Sequence, residues 1–213
     1  DTGRYAIHEL VRQYADEQLA LSAEAERAAH QAHASYFADF MQTREARLHD
    51  RRQQEALLEI SADFDNIRVA WNYWTDEQDA ARLIGFLSPL WLWFDVRGSF
   101  ASAIQFFDAA ARKLTANTPE IICACAELRA RQAWFTALIG LPADGLQLAQ
   151  ESVNTLGQYN PQGISVETLH CMNINAIFMN RFDAVVQTNQ AMLARAARSG
   201  RSWERAWALA WPA

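Results

Sequence analysis

The chain has 213 residues, 51% of them hydrophobic and 21% charged, so it can bury a core of its own and intrinsic disorder is excluded. Its 25 acidic and 19 basic side chains give a net charge of −6, which argues against a general nucleic-acid-binding surface. Only 8 Gly and 5 Pro are present, too little punctuation for an all-β sandwich or barrel, which turns roughly every ten residues. In chain order the apolar residues recur with the helical period of 3.6 almost throughout. Tyr5, Leu10, Val11, Tyr14 and Leu19 mark a first helix. A second runs from about Ala23 to Met41, with Ser22 as N-cap and Glu24 and Glu26 near the positive end of its dipole. Between Gln42 and Gln54 the apolar signal fades into "TREARLHDRRQQ", which reads as a solvated helix end or a loop.

From Glu55 onward the helices fall into pairs. Glu55 to Ile60 is followed by Phe64 to Trp74, then Glu77 to Val96 by Ser99 to Leu114. Thr118-Pro119-Glu120 opens a helix to Ile139, with Thr118 as cap and a proline in the first turn, where no amide partner is needed. Pro142 opens the next helix, to about Leu156, and "QYNPQG" breaks the chain. Ser165 to Met179, Phe182 to Arg198 and a helix starting near Ser202 complete the series. An internal repeat underlies the pairs. Gly98, Gly140 and Asn180 align at spacings of 42 and 40 residues, and both residue types readily take the left-handed conformation that ends a helix. Five residues beyond each stand Ala103, Gly145 and Val185, of small or modest size where two helices must cross closely. Such units cannot bury their own apolar faces, so neighbours must stack.

Other signals are mostly exclusions. The bases are 18 Arg and a single Lys, Lys113, which reads as composition bias. The longest apolar stretch, Leu83 to Phe94, is 12 residues, against about 20 for a membrane span, and Asp95 and Arg97 follow it. Asp1 to Leu10 has no signal-peptide pattern. Three cysteines, Cys123, Cys125 and Cys171, fit reduced thiols in a cytosolic protein better than a disulfide framework. The aromatic sets Trp71, Tyr73, Trp74 and Trp91, Trp93, Phe94, Phe100, Phe106, Phe107 read as core between paired helices.

No catalytic or metal constellation emerges, and no cofactor is expected. "HELVR" begins like the zinc-protease HExxH, but its last position is Arg12. His30 and His33 share a helical face with no third ligand nearby in sequence, and Cys123 and Cys125, two apart, point to different sides of a helix. No GxSxG elbow occurs. Nor is there a phosphate-binding GxxxxGK[ST] loop, since Lys113 lies in "ARKLT".

Three stretches carry a family resemblance. "RYAIHELVRQYADEQLA" resembles the end of the winged-helix segment that follows the ATPase core in bacterial STAND-type signalling proteins of the NB-ARC class, LuxR-type regulators among them. "ISADFDNIRVAWNYW" resembles the entry to their helical repeats, and "LWLWFDVRGSFASAIQFFDAAA" is similar to their first tetratricopeptide-like unit. The resemblance implies an all-α fold, a right-handed α-α superhelix of about five helical hairpins. Residues 1–52 would be a winged-helix remnant with linker helices and 53–213 the tetratricopeptide-like repeats, the last incomplete. It also implies a non-catalytic sensor or protein-interaction module of a cytosolic regulator, taking a protein, peptide or small-molecule signal without any membrane. The ATPase switch would lie elsewhere in the parent protein. Placing the repeats in register by the resemblance gives groove candidates Leu92 and Asp95, then Trp134 and Leu138, then His170, Ile174 and Phe178.

The last helix carries Arg195, Arg198, Arg201 and Arg205 near it, opposed by Glu204, with Trp203, Trp207 and Trp211 on one face. This apolar edge is expected either to pair with a second copy or to fold back onto the chain. The rival functions are accordingly an oligomerisation scaffold and, less favoured, a nucleic-acid-binding arm.

Overall fold

The computed structural model describes residues 8–210. Those residues form eleven α-helices and no strand: α1 (Glu9–Ala20), α2 (Ala23–Leu48), α3 (Gln53–Ala62), α4 (Phe64–Asp76), α5 (Ala80–Val96), α6 (Phe100–Lys113), α7 (Pro119–Leu138), α8 (Pro142–Tyr159), α9 (Val166–Phe178), α10 (Phe182–Ser199) and α11 (Ser202–Ala210). The expected caps are in place: the side-chain oxygens of Ser22 and Thr118 accept from the amides of Ala25 and Ile121. Ser165, expected as the first helical residue, is itself an N-cap and accepts from the Thr168 amide. Pro119 and Pro142 occupy first turns.

The charge-rich run after Met41 is a helix end: α2 continues through it to Leu48, and residues 49–52 turn into α3. Two side chains explain this. Arg44 and Arg47 both reach Glu59 of α3, at 2.8 and 2.7 Å, and the Arg44 guanidinium lies 3.5 Å from the Phe40 ring centre. Leu48 is fully buried at the end of the run. By contrast, the first apolar stripe is largely open: Leu10, Val11 and Tyr14 of α1 are exposed, Leu19 is half-buried, and Tyr5 lies outside the described residues.

Helix pairs α5–α6, α7–α8 and α9–α10 pack side by side, and α2, α5, α7 and α9 contact one another in succession. One core runs continuously from Ala34 of α2 to Ile174 of α9. It is aromatic where α4, α5 and α6 meet: Phe64 stacks on Trp93 at 4.2 Å, Trp71 on Phe106 at 5.1 Å, and Phe107 faces Phe135 of α7.

Gly98, Gly140 and Asn180 all have positive φ, and each closes a helix with the same pair of backbone bonds. At Gly140, for example, its own N–H bonds the Ala137 carbonyl and the next N–H, of Leu141, bonds Thr136. A fourth member escaped the sequence pattern because it is a glutamine. Gln78, φ +56°, makes the equivalent bonds through Gln78 and Asp79. Its side chain accepts from the amides of Thr115 and Ala116 and donates to the Lys113 carbonyl, pinning the α6–α7 connection. The close crossings also appear. Ala103 and Val185 are buried, and a Cβ on Gly145 would overlap the Asn175 side chain and stand 2.9 Å from the Ala133 carbonyl oxygen.

The last helix folds back. Its Trp203 stacks on His49 at the end of α2, with 3.9 Å between ring centres, and Trp207 meets Trp91 of α5 and His170 of α9. Trp211 lies outside the described residues.

Candidate functional site

The groove candidates do not line an open trough. Trp134, His170 and Ile174 are buried, Leu92, Asp95 and Leu138 are half-buried, and Phe178 is exposed. The structure brings three of them together. Trp134 Nε1 donates to Asp95 Oδ1 at 2.8 Å, and the Trp134 ring stacks on His170 at 5.0 Å. Trp207 then covers His170 from the other side at 5.1 Å, while Trp91 stands edge-on to both tryptophans. The result is a ladder of rings from α7 through α9 to α11. Phe178 takes no part in it.

Burial sets the protonation of this ladder. His170 is pushed down to about 4, first by loss of hydration and then by the nearby Arg131 charge. His49 is also lowered by burial, whereas burial raises Asp95 against the opposing hydrogen bond from Trp134. The linkage sign follows. Folded His170 is neutral, and the unfolded side chain, near 6.5, protonates first. Its contribution to stability is therefore complete above about pH 6.5 and is lost as the pH falls toward 4, by roughly 3 kcal/mol in all. Urea unfolding of the wild type and His170→Phe at pH 7 and pH 4.5 checks this. The wild type should lose about 2–3 kcal/mol more than the variant on acidification; parallel losses would refute it.

Beside the ladder lies a cleft of about 410 Å³, walled by α5, α7 and the segment entering α9. Its floor is a buried ion cluster. Arg131 and Glu127, one turn apart on α7, are 3.3 Å apart with side chains 3% and 8% exposed. Glu167 of α9, 7% exposed, stands 4.0 Å from the other arm of Arg131. The hydroxyls of Thr168 and Ser165 donate to Glu127, and Arg131 donates to both hydroxyls in turn. Burial opposes the Arg131 charge, but the Glu127 and Glu167 carboxylates outweigh that effect and hold it protonated. At the mouth, Glu45 of α2 meets Arg201, just before α11, at 3.4 Å.

Repeat register builds this cleft. Gly85, Glu127 and Glu167 line it, and they are separated by the same 42 and 40 residues as Gly98, Gly140 and Asn180. All three stand thirteen residues before the turn that ends their helix. The cleft wall at Gly85 thus carries no side chain where the next two repeats have glutamate. A Cβ at Gly85 would meet nothing within 4 Å.

Burial raises all three thiols, Cys171 to about 12, so none is set up as a thiolate nucleophile. Among the described residues no group of three or more His, Cys, Asp and Glu could hold a metal ion, and no helix is long and apolar enough to cross a membrane. No protein-family model, curated protein or solved structure matches the chain.

Proposed function

We propose that the chain is a non-catalytic binding module, the sensor or protein-interaction part of a cytosolic bacterial signal-transduction or transcription regulator. The cleft between α5, α7 and α9 carries this reading: it is concave, of small-ligand size, and combines an apolar wall with a few convergent polar groups. The resemblance of its quoted segments to the repeat region of STAND-type regulators supports the same class. In such a protein a ligand acts by differential affinity for two arrangements of the parent chain. The cleft suits that role because its mouth is bridged by the Glu45–Arg201 contact, which joins α2 to the start of α11. A ligand seated there bears on both. The scaffold alternative is less favoured because Trp203 and Trp207 already pack on His49, Trp91 and His170 of the same chain.

Thermal unfolding of the wild type and Gly85→Leu across a varied set of small molecules and short peptides tests the proposal. The leucine enters open space on the cleft wall. Compounds that raise the Tm of the wild type and leave the variant unmoved are expected, because a ligand at about 100 times its Kd adds roughly 2.7 kcal/mol of stability. If every stabilising compound acts equally on both proteins, or none acts at all, the proposal falls.

A further inference from the structure

The polar groups of the cleft are unequally served. Glu127 accepts from two hydroxyls and pairs with the Arg131 charge, but Glu167 has no hydrogen-bond donor among the described residues, only the Arg131 arm 4.0 Å away. A carboxylate buried to that degree without a donor is costly. Ser88 Oγ and Arg131 Nε are buried with no hydrogen-bond partner. Both residues line the same cleft. Pro89 adds to this wall: it has no N–H, so the Gly85 carbonyl lacks its normal donor four residues on. The cleft thus offers one carboxylate in need of a donor, and one N–H and one hydroxyl in need of an acceptor. Ile84, Leu87 and Leu156 supply apolar surface.

We infer that the cleft binds an aliphatic primary ammonium compound with a carbonyl beside the ammonium, the group found at the amino end of a peptide or in an amino-acid amide. The ammonium is held by Glu167, the carbonyl oxygen by Arg131 Nε and Ser88, and the alkyl chain by the leucine-rich wall. An anionic ligand is disfavoured, since three carboxylates, Glu45, Glu127 and Glu167, stand against two guanidinium groups, Arg131 and Arg201, around the space. This inference rests on the reading of the cleft as the binding site.

The probe is L-leucinamide, titrated calorimetrically into the whole chain. Saturable binding of one equivalent is expected. N-acetyl-L-leucinamide has the same side chain and carbonyl but no charge, and should bind at least about tenfold more weakly. Glu167→Gln should cost a similar factor, and it leaves Arg131 paired with Glu127. Gly85→Leu should abolish binding while the helical circular dichroism is unchanged, which keeps the test decisive if the glutamine variant folds poorly. Absence of saturable leucinamide binding, equal binding of the acetylated probe, or full binding to Gly85→Leu each overturns the inference. If leucinamide fails while other compounds stabilise the wild type and not Gly85→Leu, only the ligand class is wrong. If nothing does so, the binding-module reading falls with it.

Discussion

Arg131→Ala should be among the most destabilising single changes in the molecule, by about 3–5 kcal/mol. Arg131 is 2% exposed and faces two carboxylates, at 3.3 and 4.0 Å, whose side chains are 8% and 7% exposed. Removing it leaves both charges buried with no counter-ion, at the full cost of their lost hydration. The cation also donates to Thr168 and Ser165, whose hydroxyls would keep Glu127 and each other as partners. The cost therefore comes from the groups left behind more than from the lost attraction. That distinction can be measured. A triple variant, Arg131→Met with Glu127→Gln and Glu167→Gln, removes the whole ion set and should recover much of the loss, since buried ion clusters are often no more stabilising than apolar replacements of similar size. Urea unfolding at pH 7 gives both values. A loss below about 1 kcal/mol for Arg131→Ala would mean that the cluster is hydrated, not buried.

Much of the architecture was legible in the chain because it depends on local signals. Caps such as Ser22 and Thr118 and breaks such as Gly98, Gly140 and Asn180 act within a turn of themselves, and the structure uses them as the sequence pattern required. Three features were harder to see, each for a physical reason. The helix through Arg44 and Arg47 depends on Glu59, a contact between separate helices that composition does not encode. The turn at Gln78 violates the glycine preference and is held by side-chain bonds to residues more than thirty positions away. Finally, the cleft lies at a different height of the repeats from the groove candidates. Leu92, Trp134 and Ile174 stand six residues before their turns, whereas Gly85, Glu127 and Glu167 stand thirteen before. Seven residues are two helical turns, so both sets share one face, and the polar set lies nearer the helix starts. The signal that would have found it is present in "IICACAELRARQAWF", where Glu127 and Arg131 sit one turn apart in an otherwise apolar helix.

Trp134→Ala separates the two readings of the aromatic ladder. A ligand-contacting tryptophan at the surface of a groove would lose binding on truncation and leave the melting temperature nearly unmoved. The ring observed here is 9% exposed, stacked on His170, edge-on to Trp91 and hydrogen-bonded to Asp95. Its truncation should therefore cost roughly 3–5 kcal/mol, the range for removing a large buried aromatic and leaving a cavity. Trp134→Phe refines the point. It keeps most of the apolar volume and the stacking surface but deletes the N–H that Asp95 accepts. Asp95 is already raised by burial, so without this donor its carboxyl should rise further. The phenylalanine variant should lose about 1–3 kcal/mol at pH 7, and part of that loss should be regained on acidification, when Asp95 becomes protonated and no longer carries a poorly solvated charge. In Asp95→Asn the same Trp134→Phe change should cost less, because the charge is gone before the donor is. Equal costs in the two backgrounds would place Asp95 in water and the ladder at the surface.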